Sequence, residues 1–256
     1  MGLDWCLKRR ARPGFEEEFI RLEAEDSDGW TEAEKQHWEE VSVDPYETLG
    51  VPRIGIDEAA TKHFLEVIVP SHRENARENT SANDKYRQHW AQTDDVLLAE
   101  HTGAYATDLT DYDLSTFQVM TPFTSLAGAF SFRGKAIGYS TLLPESLQNE
   151  AYTDMTPPEM ADYAARIERA AIAASGCPTT NPGDAREWVD ETLAEMRERA
   201  IAQGFVDDDW AGLVKDGEEF KPEPREELAL RLQPVLDAAR WLRFWADLGH
   251  SMHAWY

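Results

Sequence analysis

The stretch GHSMHAWY holds two imidazoles, His250 and His253, three positions apart. On a helix that spacing would put both rings on one face. Two imidazoles can bind a transition metal when a further ligand joins them, or exchange protons near neutral pH. The sequence names no third ligand for them. The apolar helix before them, with Trp241, Phe244, Trp245 and Leu248, favours a tail packed into a core with the histidines at its rim. A second signal is a pair of cations. Arg133 and Lys135 are the only Lys or Arg between His101 and Asp154, in the segment poorest in charge. They lie in FRGKAIGY, which reads as a hairpin with a Gly-first two-residue loop. Cations isolated in that way could reach over a cleft toward an anion. Tyr139 and Asn149 follow as further ligand contacts, and Glu150 joins His250 and His253 as the candidate acid–base set.

A third signal is PSHRENARENTSANDKYRQHW. It gathers His72, Arg73, Asn75, Arg77, Arg87 and His89 where positive charge is not swamped by acid. Such donors, with Tyr86 and Trp90 nearby, could line a pocket for an anion or a nucleotide base, with Arg73 and His89 as contacts. The competing reading is a polar helix face paired internally. Asp108, Asp111 and Asp113 could hold a hard cation, but the loop lacks the glycine and closing Glu of a calcium site and reads better as a solvated turn. GAFSFRGKA is not a phosphate loop: its glycines are six apart, and Ala136 stands where Ser or Thr would hold magnesium. G-x-G-x-x-G, H-E-x-x-H and G-x-S-x-G are all missing, which removes the common nucleotide-fold, zinc-protease and hydrolase readings.

The elements that must position these groups follow from periodicity. Leu3, Trp5 and Leu7 alternate with polar residues, as in a half-buried strand. Phe15, Phe19 and Leu22 mark one helix face, with Glu16, Glu17 and Glu18 at its positive end. Capping boxes at Thr31/Glu34, Ser71/Glu74 and Thr156/Glu159 predict helix starts, and Asp57 predicts a helix through Val67. Asp84 to about Glu100 reads as one longer helix. Between Thr102 and Leu143, Phe117, Val119, Phe130, Phe132, Ile137 and Tyr139 alternate as strand residues do. After Thr156 the chain reads as helical, with stripes at Met160–Ile167, Val189–Ala200 and Leu228–Leu242, the last kinked by Pro234. FVDDDWAGLVKDGEEFKPEP reads as a loop or linker. The expected fold is α+β: predominantly helical, with a small antiparallel sheet made of the N-terminal strand and central hairpins. One globular domain over 1–256 is expected, with a subdivision into a mixed part, 1–155, and a helical part, 156–256.

Composition bounds the function. The chain has 256 residues, 42% of them hydrophobic, which is enough for a sizeable core. Its 49 acidic residues outnumber 25 Lys and Arg, for a net charge of −24. That argues against direct nucleic-acid binding and against docking on anionic lipid. Two distant cysteines, Cys6 and Cys177, suit a reducing, cytoplasmic setting. No apolar run is long enough for a membrane span. The MGLD opening resembles the beginnings of bacterial and phage proteins without assigned activity, and it implies none here.

Two function classes follow. The leading expectation is an intracellular protein with a pocket for a small anionic or nucleotide-like ligand, with enzymatic activity left open. The alternative is an acidic interaction or inhibitor protein that captures a basic partner as a nucleic-acid mimic, with Asp26–Glu58 the most lopsided interval. A structural subunit is the third reading. No cofactor is named by any motif.

Overall fold

The computed structural model describes residues 4–24, 29–79, 84–109, 128–129, 137–138, 140–208, 212–215 and 218–255. The fold is mainly helical α+β with small antiparallel sheets. The chain divides into two compact units: Met1–Arg10 with Gln118–Tyr256, and Ala11–Phe117. None of the described helices is long and apolar enough to cross a membrane.

The first unit is built on a strand, Asp4–Leu7, that pairs antiparallel with Met252–Trp255 on one edge and with Gly128–Ala129 on the other. Its register puts Trp5 opposite Ala254 and Leu7 opposite Met252. Trp5 is wholly buried, as the period-two pattern predicts. Its ring stacks on Trp241 at 6.1 Å, and its indole N–H donates to the Ala151 carbonyl at 2.9 Å. Trp241 belongs to the helix Pro224–Asp247, which packs along two others, Pro157–Ser175 and Pro182–Ala202. The first of these starts with the Thr156/Glu159 capping box and Pro157, and Gly176 closes it at φ 73°. Met160, Tyr163, Ala164 and Ile167 are buried, as their spacing requires. Pro234 lies inside this one continuous helix.

Buried carboxylates tie these helices together. Glu168 accepts two bonds from Arg243, Glu226 two from Arg199, and Asp237 one from Arg186 at 2.8 Å. Burial pushes the Asp237 carboxyl above its ordinary value, and Arg186 only partly offsets that cost.

Two sequence expectations are corrected in this unit. The supposed linker after Gly204 forms a second small sheet from Val206–Asp208, Gly212–Lys215 and Glu218–Glu219. Its strands are too short and acidic to show a hydrophobic period, and the Phe205–Phe220 contact at 5.2 Å closes its ends. Ile137 and Gly138 lie in a π-helical turn rather than a strand. His250 and His253 sit in extended chain, not on a helix, because Gly249 turns the backbone at φ 78° and the strand Met252–Trp255 follows.

In the second unit, the helices Glu16–Glu23 and Glu32–Val41 meet through Phe19 stacked on Trp38 at 4.8 Å. The Thr31/Glu34 capping box is formed. Asp57 caps a helix by accepting from the Ala60 N–H, but the run does not stop at Val67. Glu58–His63 passes into a π-helical turn, Phe64–Ile68, and on through Val69–Glu78. Ser71 is therefore inside a helix and starts nothing. The cause is Pro70, which has no N–H to give to the preceding turn, so the Val69 N–H reaches back to the Phe64 carbonyl in a wider loop. The long helix expected from Asp84 is two, Asp84–Trp90 and Asp94–His101, broken at Ala91–Thr93. Ile54, Phe64, Ile68, Val69, Ala76, Trp90 and Leu97 form the core of this unit.

The buried pairs give a stability test. Arg186→Ala removes the hydrogen-bond donor from the buried Asp237 carboxyl, and should cost about 3 kcal/mol in urea denaturation. Combining Arg186→Met with Asp237→Leu should restore most of that loss.

Candidate functional site

A cluster of polar side chains surrounds Trp90 in the second unit. The helix Val69–Glu78 presents Arg73 and Arg77 four positions apart, hence on one face. The helix Asp84–Trp90 presents Arg87 and Trp90 three apart. Gln92 and Thr93, in the break before the next helix, complete a cavity of about 650 Å³ lined by all six residues. None of its described lining residues is a carboxylate.

Arg73 holds this wall together. Its Nε donates to the Trp90 carbonyl at 3.0 Å, its Nη2 to the Gln92 carbonyl, and the same nitrogen meets Asp94 at 2.9 Å. Those bonds saturate backbone acceptors exposed by the break between the two helices. Arg87 meets Asp84 at 2.6 Å, one helical turn back, and Arg77 is exposed. Trp90 is 4% exposed. His72 stacks on it at 4.2 Å, with its Nδ1 2.9 Å from the Tyr86 hydroxyl, and His101 stacks on it at 6.0 Å.

Beside Trp90 lies a second cluster. One ligand-type atom each from His89, Glu100 and His101 falls within 4.8 Å of the others. His89 Nδ1 is 3.2 Å from the Glu100 carboxylate. Burial lowers the His101 pKa, with His89 and His72 acting in the same direction and Glu100 opposing them.

The residues singled out from sequence are distributed between the two units. Arg73 and His89 belong to the arrangement around Trp90. Arg133, Lys135 and Tyr139 lie outside the described residues, as do Asp111 and Asp113. Glu150 is engaged by Arg166 in a two-bond pair, and Arg166 also meets Asp162 at 2.7 Å. Asn149 is exposed near the end of the short helix Glu145–Glu150. His250 is fully buried, with Nδ1 2.9 Å from the Lys8 carbonyl. His253 is exposed, with Nδ1 2.8 Å from the Asp154 carboxylate. The two imidazoles thus serve different surroundings, one clamping the chain after Gly249 and one closing a surface pair.

Glu100, His101, Gln92 and Thr93 were not signalled by motif. The pattern Gln92-Thr93-Asp94-Asp95 could have shown the break, since Thr93 is an N-cap type followed by first-turn acids. With the break in place, the chain brings Glu100 and His101 back to His89. Comparison with family models, with curated proteins and with solved structures returns no match, so function must be argued from these sites.

His250 gives a pH test. Burial lowers its pKa most, Arg10 and Arg9 add to this, and the Lys8 carbonyl opposes it. The unfolded chain then binds a proton more readily than the folded one. The urea midpoint should fall as pH drops below about 6.5, the ordinary imidazole value, toward the lowered folded value. His250→Gln should flatten that part of the pH profile.

Proposed function

We propose that the protein binds a small anion in the pocket beside Trp90. The observation that supports this reading is the meeting of Arg73, Arg77 and Arg87 on one cavity with no carboxylate among its described lining residues, in a chain with a net charge of −24. Asp94 and Asp84 pair with Arg73 and Arg87 beside it. Guanidinium groups present paired donors that match phosphate and carboxylate oxygens. Arg77 and Arg87 are the ligand contacts, and Arg73 positions the wall through its backbone bonds. A cavity of about 650 Å³ is within the range of small-molecule sites.

The anion is favoured over a stacked nucleotide base. Trp90 is nearly buried, and the His72 and His101 rings lie stacked on it, so it offers little open surface for a base. The reading assigns binding and no reaction. A cytoplasmic setting is part of the proposal, supported by Cys6 and Cys177 both being thiols.

Calorimetry and ligand-observed NMR with inorganic phosphate and a nucleoside monophosphate test it. Phosphate should bind, more weakly as salt is raised. Arg77→Ala and Arg87→Ala should each weaken it about tenfold, or ~1.4 kcal/mol. Absence of binding by either probe would remove the reading.

A second reading is favoured by a different feature of the same unit. Trp30 and Trp38, in edge contact at 5.6 Å, line a depression with Glu32, Glu39, Gln36 and Lys35, the last of which pairs with Glu32 at 2.8 Å. Aromatic faces among carboxylates suit a Lys or Arg side chain of a basic partner. A lysine-rich peptide should then bind with an affinity that falls steeply with salt and that Trp38→Ala reduces.

A further inference from the structure

We propose that His89, Glu100 and His101 bind one divalent transition-metal ion, with zinc the best match, and leave a coordination position open to solvent. The inference is independent of the anion pocket. Two imidazoles and one carboxylate form a donor set that suits zinc with three protein ligands and a water. The helices Asp84–Trp90 and Asp94–His101 supply the ligands, and the break between them folds the second helix back on the first.

The distances fit. Zinc ligands at about 2.0–2.1 Å in a tetrahedron stand roughly 3.3–3.4 Å from one another. His89 Nδ1 and the Glu100 carboxylate are already 3.2 Å apart, and no ligand pair exceeds 4.8 Å. Side-chain rotation of about 1.5 Å closes the remainder. A second observation points the same way. His101 Nε2 is buried and has no hydrogen-bond partner among the described residues, a condition that native interiors rarely leave unanswered. The His101 ring is held in place by Phe64 at 5.5 Å, edge on, and by the stacked Trp90. A rigid imidazole of that kind is what a metal site requires of its supporting shell. On the other side, the side chains of His89 and Glu100 are 32% and 44% exposed, which gives an ion a route in and a water ligand a place.

The test is titration of zinc alone into metal-stripped protein, followed by native mass spectrometry and calorimetry. The expected result is one tight equivalent. Glu100→Gln, which keeps shape and removes charge at a half-exposed position, should weaken zinc at least tenfold while leaving circular dichroism unchanged. His89→Asn should do the same. His37→Asn serves as the comparison, because His37 also lies between carboxylates, Glu18 and Glu40, and should leave zinc binding intact. Failure of the parent protein to bind zinc would overturn the proposal. So would zinc binding that Glu100→Gln leaves unchanged, or that His37→Asn abolishes.

Discussion

Positive charge is scarce in this molecule, and where it goes organises the rest. With 49 acids against 25 Lys and Arg, each guanidinium has a choice of partners. Several go to carboxylates that the helices of the first unit bury: Arg186 to Asp237, Arg199 to Glu226 and Arg243 to Glu168. Such pairs add little net stability over apolar residues of similar shape, but neither partner can be removed alone without cost. They fix which turns of neighbouring helices face each other. Arg53 is spent differently, lying over the Tyr105 ring at 4.4 Å and bonding its hydroxyl. Arg73 and Arg87 also meet carboxylates, Asp94 and Asp84, yet together with Arg77 they line one cavity.

Trp90 links the two sites of the second unit. Its backbone carbonyl receives Arg73, its ring supports His72 and His101, and its neighbour His89 reaches Glu100. The anion pocket and the metal cluster therefore share a rigid divider while using different side chains. The divider is rigid for a simple reason: a large aromatic group packed into the core with Phe64, Val69 and Leu97 cannot move without opening a void.

Much of the architecture is legible in the sequence because its signals are local. Trp5 in alternation, Thr31 and Thr156 as caps, and the stripe from Met160 to Ile167 each depend on a few neighbouring residues and behave as their chemistry dictates. The misreadings share a physical cause. Ser71 has the form of a cap, but Asp57 already starts the helix, and Pro70 is absorbed by a wider turn. The last helix uses Glu223 with Glu226 as its capping box, a carboxylate standing where the pattern expects a hydroxyl. The pocket was half visible: Arg73 and His89 came from local charge, while Gln92, Glu100 and His101 depend on a chain reversal that no short window reveals. His250 and His253 would share a face only on a helix; after the turn at Gly249 extended chain separates them.

The strand Asp4–Leu7 sits between Gly128–Ala129 and Met252–Trp255, which makes the first unit discontinuous along the chain, while residues 11–117 form a continuous one. During translation the continuous unit can collapse as soon as it leaves the ribosome. The other unit must wait. Loop length itself is a minor penalty, since each doubling adds only about 0.6 kcal/mol, so the cost is one of time. Gly128–Ala129 can cover one edge midway, but until Trp241 and the returning strand emerge Trp5 lacks its stacking partner and the second edge is open. The nascent chain thus carries an aromatic strand with one open edge until residues 252–255 are made, and that interval is when holding factors or mispairing between neighbouring chains would act.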